Sequence, residues 1–356
     1  MKTDESMRTL PGRAEMERAF AEKDAGYDGV FYAAVKTTGI FCRPSCPSRP
    51  EPRNLEFFGS VKECLSAGYR PCKRCRPLEA GGAPPAWAAD LMARIEASPD
   101  DPLDAAALRS LGVTPERARR WFEEHYGMSF AAWRRGYRLA GAFTRIRDGA
   151  RLDDAVFDCG FESHSGFRDA FSRTFGQPPG RARGAGERIV LQRLETPLGP
   201  VFAGAAAEGI CLLDYADRKR LRENLEALRR GFGCALVPGK LPVLHLLRSE
   251  LADYFAGRLR SFSVPLAPRG TPFEESVWAE VRRIPPGDTV SYGELARRLG
   301  RPSAVRAVGR ANARNRICIL IPCHRVTGKD GELTGYGGGL WRKRLLLDLE
   351  KSRAPR

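Results

Sequence analysis

No apolar run in the 356-residue chain reaches the length of a membrane span, and the start, MKTDESMRTLPGR, has no apolar core of the kind a signal peptide carries. The sequence therefore predicts a cytoplasmic protein with no membrane partner. A nucleotide-binding glycine motif is also missing, which excludes the usual binding site for a nucleotide cosubstrate. Acidic residues are in deficit, 43 against 59 lysines and arginines, giving a formal charge of +16 and a pI near 9.7. Such a field attracts polyanions, and with no membrane segment the expected one is nucleic acid. Histidine is scarce, 4 residues beside 10 cysteines. In a reducing compartment, paired cysteines point to metal or catalysis and not to disulfides. A chain of this length has room for roughly two to four domains.

One histidine directly follows a cysteine, in Ile321-Pro322-Cys323-His324-Arg325-Val326, after the apolar run Ile317 to Ile321. A cysteine is a strong nucleophile only as the thiolate, and His324 is a candidate to promote that form. Alone, the pair fits a buried free cysteine ending a strand beside a satisfied histidine at least as well. The rest of the chain decides between the two.

Near the amino terminus, a helix over residues 15–26 and a strand from Val30 to Val35 precede Thr37 to Pro50, whose prolines and glycine favour a rigid loop carrying Cys42 and Cys46. A strand from Leu55 to Phe58 and a helix from Val61 to Ala67 lead to Cys72 and Cys75. Two close pairs about 25 residues apart have the spacing of one tetrahedral Zn2+ site with four thiolates. Cys64 fits no ligand spacing and reads as core. Arg43, Arg49, Arg53, Arg70, Lys73, Arg74 and Arg76 crowd the cysteines. Four thiolates on Zn2+ carry a formal charge of −2, which repels phosphate while the arginines attract it. The combination suits a nucleophilic thiolate attacking something neutral on a DNA backbone. The segments KTTGIFCRPSCPSRP and AGYRPCKRC resemble the amino-terminal domain of the Ada family. The resemblance implies Cys42 as acceptor of a methyl group from a methylphosphotriester and Cys42, Cys46, Cys72 and Cys75 as the zinc ligands. It also implies Thr38, Arg49 and Arg70 at the DNA backbone.

Leu78 to Pro85 has a linker's composition. Helical patterns follow at Trp87 to Ala97, Leu103 to Leu111 and Pro115 to His125, with Thr114 as N-cap and Pro115 in the first helical position. A helix, a glycine turn and an arginine-rich helix form a helix-turn-helix pattern. A long helix from Phe130 to Arg147 leads to a second copy, Leu152 to Cys159 and, after Ser163 as cap, a helix through Phe175. Cys159-Gly160-Phe161, Phe167, Phe171, Phe175-Gly176 and Pro179 are similar to the AraC-type DNA-binding unit. That likeness implies contacts from Arg117, Arg120, Ser165 and Arg168, with His164 on the DNA-facing surface. Ala118 stands where the family carries a larger apolar residue, so looser packing of the first unit is expected.

After a linker at 181–186, strands at Ile189 to Leu194, Val201 to Ala207 and Ile210 to Tyr215 and helices at Arg218 to Arg230 and Pro242 to Phe255 read as a supporting α/β unit without catalytic residues. Cys211, Cys234 and His245 read as core or surface. From Phe273 the chain resembles O6-methylguanine-DNA methyltransferase, on Phe273-Glu274-Glu275-Ser276-Val277-Trp278, Val290-Ser291-Tyr292-Gly293-Glu294, Pro302 to Gly309, Asn315, the Cys323-His324 motif and Gly335-Tyr336-Gly337-Gly338-Gly339-Leu340. The likeness implies a flipped guanine presented to Cys323, with His324 and Glu350 as a relay for the thiol proton. It also implies Tyr292 rotating the target phosphate and protonating the base, Arg306 filling the gap in the duplex, and Asn315 bracing the acceptor turn. Three departures stand out: Cys318, expected to be inert packing; Gly337, expected to be unencumbered; and Arg342, Lys343 and Arg344, expected to be surface charge.

The expected fold is multidomain α+β. It comprises a zinc-bound α/β domain (1–80), an all-α double helix-turn-helix unit (86–183), a ribonuclease-H-like α/β subdomain (187–265) and a winged-helix-like methyltransferase domain (270–353). The expected function is DNA repair by irreversible methyl transfer, from O6-methylguanine and O4-methylthymine to Cys323 and from methylphosphotriesters to zinc-bound Cys42. The methylated protein would regulate transcription. A methyl-cysteine is a thioether with no activated carbon, so each acceptor acts once. The expected partners are double-stranded DNA, both alkylated and promoter, and RNA polymerase, with the chain a monomer and zinc its one cofactor. The alternative is a zinc-containing AraC-type transcription factor with inactive acceptor sites.

Overall fold

A computed structural model describes residues 10–75, 77, 84–99, 101–126, 128–147, 150–157, 159–161, 163–175, 178–181, 188–218 and 220–352. Arg76, most of the 78–85 linker and nearly all of the 181–186 linker lie outside them. Among the described residues no helix is long and apolar enough to cross a membrane.

The first unit opens with helix Arg13–Ala21, which stops well before residue 26 because Lys23 turns to φ +57° and Asp24 caps a separate 3-10 turn, Ala25–Tyr27. Strands β1 (Tyr32–Val35), β2 (Ile40–Cys42), β3 (Leu55–Phe58) and β4 (Arg70–Pro71) form a sheet in the order β3-β1-β2-β4. Alternation along β1 sends Ala33 and Val35 to a cluster holding Phe20, Leu55, Cys42 and Cys46, and Tyr32 and Ala34 to the opposite face with Phe41 and the buried Cys64.

Two helix-turn-helix units share the long helix Phe130–Arg147. The first joins Ala105–Ser110 to Pro115–Tyr126 through Gly112 at φ +72°, with Thr114 Oγ1 accepting from Arg117 N at 3.2 Å. The second joins Leu152–Phe157 to His164–Phe175, with Ser163 Oγ accepting from Gly166 N at 3.1 Å. Each keeps its own core: Leu108, Val113 and Phe122 in one, Phe143, Val156, Phe167 and Phe171 in the other. Ala118 is fully buried in the first core.

In the next unit β5 (Arg188–Leu194), β6 (Val201–Ala206), β7 (Gly209–Tyr215) and β8 (Ala235–Pro238) form a sheet ordered β7-β6-β5-β8. Strand β8, four residues parallel to β5, was not expected. Helix Leu221–Phe232 begins three residues after Arg218, which leaves that arginine in the preceding loop. Helix Pro242–Phe255 follows the expected span.

The last unit carries helices Pro272–Arg282, Tyr292–Arg298, Val305–Ala313 and Leu340–Lys351. Val290–Ser291 forms a short strand, β9, parallel to β10 (Val326–Thr327), and Ser291 caps the helix after it. The apolar run Ile317 to Ile321 is a compact turn and not a strand, because Ile319 adopts φ +71°. One continuous core joins this unit to the β7 sheet and to the zinc-binding unit, with Met16, Tyr27 and Phe31 beside Leu198, Val277 and Trp341. Trp341 Nε1 donates to Gly26 O across that junction.

Gly209 opens β7 at φ +143°, and a Cβ there would lie 2.4 Å from Pro265 O, the carbonyl that receives Ile210 N at 2.8 Å. Gly209→Ala is expected to lower stability by about 2–4 kcal/mol in denaturant unfolding, since both the clash and the backbone strain act together.

Candidate active sites

The turn that carries Cys323 is built by asparagines. Asn315 Nδ2 donates to Ile321 O at 2.8 Å while its Oδ1 accepts from Ile317 N at 2.9 Å, so one side chain closes the turn from both ends. Asn312 Nδ2 reaches Cys323 O at 3.4 Å. Cys323 starts a 3-10 turn through Arg325 and is 7% exposed. His324, fully buried, places Nε2 3.0 Å from Glu350 Oε1.

Glu350 gathers more donors than the sequence reading foresaw. Its Oε1 accepts from Tyr254 OH and Arg325 Nη2, each at 2.8 Å, and its Oε2 from Arg325 Nε at 2.9 Å and Gly287 N at 3.3 Å. Burial alone would raise the Glu350 carboxyl, but the hydrogen bonds from His324 and Arg325 outweigh it and hold the group well below the carboxylate range. Burial lowers the His324 pKa despite that carboxylate. The imidazole is then neutral, Nε2–H donates to Glu350, and the Nδ1 lone pair is free: among the described residues that buried atom has no hydrogen-bond partner.

The Cys323 thiol is held below its ordinary value by the neighbouring Cys318, by Asn315 and by the charges of Arg218 and Lys343, against burial. Cys318 is not isolated: its Sγ donates to Asp214 Oδ1 at 3.6 Å and lies 3.8 Å from Arg218 Nη1. Gly337 is not unencumbered either, because a Cβ there would come within 2.6 Å of Arg218 Nη2. The expected surface charges divide. Lys343 is fully buried with Nζ donating to Val326 O at 2.6 Å and Thr334 O at 2.9 Å, and burial lowers its pKa to about 8. Arg342 is 2% exposed and bridges Leu198 O, Gly338 O and Asp217, with its guanidinium 4.3 Å from the Tyr215 ring centroid. Arg344 remains half-exposed, 3.4 Å from Glu15. Two of the three cations point into a groove of carbonyls that the one-dimensional pattern does not show.

Tyr292 is half-buried, its phenol pushed up by burial. Arg306 is exposed on the first turn of helix Val305–Ala313. Sequence reasoning missed Tyr254, Arg325, Asp214 and Arg218. Arg325 was legible from its place in the motif, whereas Tyr254 and Arg218 arrive from a unit read as mere support.

At the other end, the sulfurs of Cys42, Cys46, Cys72 and Cys75 all lie within 4.8 Å of one another. Zn–S bonds of about 2.3 Å set tetrahedral sulfurs about 3.8 Å apart, so the cluster fits one ion. Cys42, at the end of β2, and Cys46 are buried, whereas Cys72 and Cys75 are half-buried. Arg43 N donates to Cys75 Sγ at 3.4 Å and Ser48 Oγ to Cys46 Sγ at 3.3 Å, while Asp28 ties down Ser45 N at 3.0 Å. Arg43 itself is turned inward, Nε to Cys75 O at 2.7 Å, and Arg53 pairs with Glu51. Thr38, Arg49 and Arg70 are exposed.

In the helical units Arg117, Arg120, Ser165 and Arg168 are exposed, with the Arg117 guanidinium 5.0 Å from the Trp87 ring centroid. His164 is partly exposed and stands 3.7 Å from Asp153.

Three family models match the chain: "Metal binding domain of Ada" over residues 15–78, "Helix-turn-helix domain" over 108–185, and "6-O-methylguanine DNA methyltransferase, DNA binding domain" over 272–352. The Escherichia coli K12 protein described as "Bifunctional transcriptional activator/DNA repair enzyme Ada" is 34% identical over 333 residues, covering 92% of this chain and 93% of its own. A Mycobacterium bovis "Methylated-DNA--protein-cysteine methyltransferase" is 58% identical over 106 residues, 30% of this chain and 64% of its own. The crystal structure of the Mycobacterium tuberculosis O6-methylguanine methyltransferase is similar at 40% identity, covering 47% of this chain and 95% of that one, with a TM-score of 0.41.

Two outcomes follow. Elemental analysis of purified protein should give one zinc per chain, and Cys46→Ser should lose it. For Glu350, a depressed folded pKa contributes stability that is present above the unfolded value of about 4.3 and is lost as pH falls toward the folded value. Unfolding measured from pH 6 down should show wild type losing stability most steeply below about pH 4, and Glu350→Gln, destabilised by about 3–5 kcal/mol at neutral pH, lacking that component.

Proposed function

Because the chain belongs to the Ada family, whose members join DNA repair methyl transfer to transcriptional regulation, we propose that it carries two single-use methyl acceptors, Cys323 for an alkylated base and Cys42 for an alkylated phosphate. The observation that carries the reading is the buried succession of Cys323, a neutral His324 with a free Nδ1, and an ionised Glu350. The alkyl carbon of a stacked guanine is out of reach, so the nucleotide is flipped at a cost of a few kcal/mol. Arg306, exposed on the helix whose far end leads to the acceptor turn, fills the gap. His324, through water, takes the thiol proton, Cys323 Sγ bonds to the methyl carbon, and the carbon–oxygen electrons return to the base. Tyr292 supplies a proton to the ring nitrogen, so the leaving group is a neutral guanine. O4-methylthymine is a second substrate of the same chemistry.

The residues present fit a four-thiolate zinc site, and the ion, when bound, keeps its ligands ionised and electron-rich. Cys42 Sγ attacks the methyl carbon of a neutral phosphotriester, and an anionic phosphodiester leaves. Thr38, Arg49 and Arg70 hold the backbone. Methylation turns one thiolate into a thioether and changes the formal charge of the ligand set and ion from −2 to −1. Repulsion from phosphate weakens, and the methylated protein binds promoter DNA more tightly. Arg117, Arg120, Ser165 and Arg168 contact that DNA from the two second helices. RNA polymerase is the further partner of a monomeric, cytoplasmic protein. The division at 1–80, 86–183, 187–265 and 270–353 is supported by the separate helical cores and by the positions of the three family matches.

Duplex DNA carrying labelled methyl groups on O6-guanine and on phosphate should transfer a total of two labels per chain, located by peptide mass at Cys42 and Cys323, with no turnover after the burst. Cys323→Ala should retain only the Cys42 label. Label absent from both peptides, or continued turnover, contradicts the reading. At fixed, moderate salt the Cys42-methylated protein should bind DNA more tightly than the unmethylated one; equal affinity removes the charge switch.

A further inference from the structure

The turn that carries Cys323 receives a guanidinium that the motif comparison does not bring to it. Arg218 stands in the loop after β7, within the unit the sequence presents as support, and its side chain is 7% exposed. Nη1 donates to Asp214 Oδ1 at 2.8 Å and to Asn315 O at 3.1 Å, and lies 3.8 Å from Cys318 Sγ. Nη2 donates to Ala313 O at 2.8 Å, and the head fills the space a side chain at Gly337 would need. Asp214, wholly buried, is itself fixed by Asn224 Nδ2 at 2.8 Å and Tyr215 N at 3.1 Å. The edge of β7 is sewn to the acceptor turn beside it, Cys318 N to Leu213 O at 2.7 Å and Leu213 N to Arg316 O at 2.8 Å. So much fixation around one cation is unnecessary for a solvated loop arginine.

We propose that Arg218 is a positioning residue for methyl transfer at Cys323: it neutralises the buried Asp214 carboxylate behind Cys318 and ties the β7 loop to the acceptor turn at Asn315, so that no unpaired negative charge faces the acceptor thiolate. This rests on Cys323 being the acceptor. Asp214 is the carboxylate that this cation offsets, and the other titratable groups around the turn do not replace it. Tyr215, Tyr292 and Tyr336 are neutral phenols raised by burial, and His324 is lowered by it. Lys343 is the second cation, but its pKa of about 8 makes its charge fade over the range in which a thiol ionises. Arg218 stays charged throughout.

The test is the pH dependence of single-turnover methyl transfer from an O6-methylguanine duplex, and of iodoacetamide alkylation located at Cys323, for wild type, Arg218→Gln and Arg218→Lys. Glutamine keeps a neutral donor toward the Ala313 and Asn315 carbonyls and lysine keeps the charge. Arg218→Gln should shift the apparent thiol pKa upward by about one unit, making both reactions about tenfold slower at pH 6.5 and converging on wild type near pH 9.5. Arg218→Lys should restore most of the profile. Arg218→Gln with an unshifted profile, or one depressed equally at every pH, makes Arg218 a structural anchor only and overturns the proposal. Should Arg218→Gln not fold, an Arg218→Lys profile shifted as far as that expected for glutamine also overturns it, and one that keeps the wild-type midpoint supports it. Wild type that takes no methyl from DNA refutes the functional reading, and the alkylation profile still decides the role of Arg218.

Discussion

One buried carboxylate ties the acceptor turn to three other elements of the carboxy-terminal half. Glu350 sits on the last helix, yet the groups donating to it come from three other places: Tyr254 from the helix Pro242–Phe255, Gly287 from the turn before β9, and His324 and Arg325 from the acceptor turn. A carboxylate removed from water is tolerable only when its lone pairs are taken up, and here they are taken up by the elements whose relative placement defines the pocket. Folding and chemistry therefore make the same demand. The donors that make the buried charge acceptable also fix the tautomer of His324 and leave its Nδ1 free for a proton.

The cations follow the same logic. Lys343 and Arg342 occupy successive positions on an arginine- and lysine-rich helix, a pattern that reads as a solvated face, but backbone carbonyls at Val326, Thr334, Leu198 and Gly338 take them in. Arg342 joins Asp217 on the β7 loop to Gly338 beside the pocket, and the neighbouring Trp341 reaches Gly26 of the zinc-binding unit. The helix that carries Glu350 is thus also the seat on which the amino-terminal unit rests.

Much of this was legible in the sequence, for a physical reason. The four cysteines, the Cys323-His324 pair and the helix-turn-helix repeats are local patterns whose spacing is set by metal geometry, turn chemistry or helical period. Helices Phe130–Arg147, His164–Phe175 and Pro242–Phe255 announce their ends through caps, prolines and glycine. What escaped depends on contacts far apart in the chain. Strand β8 is four residues long and gains its identity only from pairing with β5. Arg218 and Asp214 meet Cys318 across about a hundred residues, and the space beside Gly337 is taken by the Arg218 guanidinium. The run Ile317 to Ile321 has a strand's composition, but Asn315 folds it into a turn.

The dependence of both structure and reactivity on Glu350 is tested most directly by single-turnover methyl transfer from an O6-methylguanine duplex to Cys323 in Glu350→Gln, at a temperature where circular dichroism shows the variant folded. The account predicts transfer at least about a hundredfold slower than wild type, in line with the loss of a general base oriented by its carboxylate. Transfer at the wild-type rate by the folded variant would contradict it.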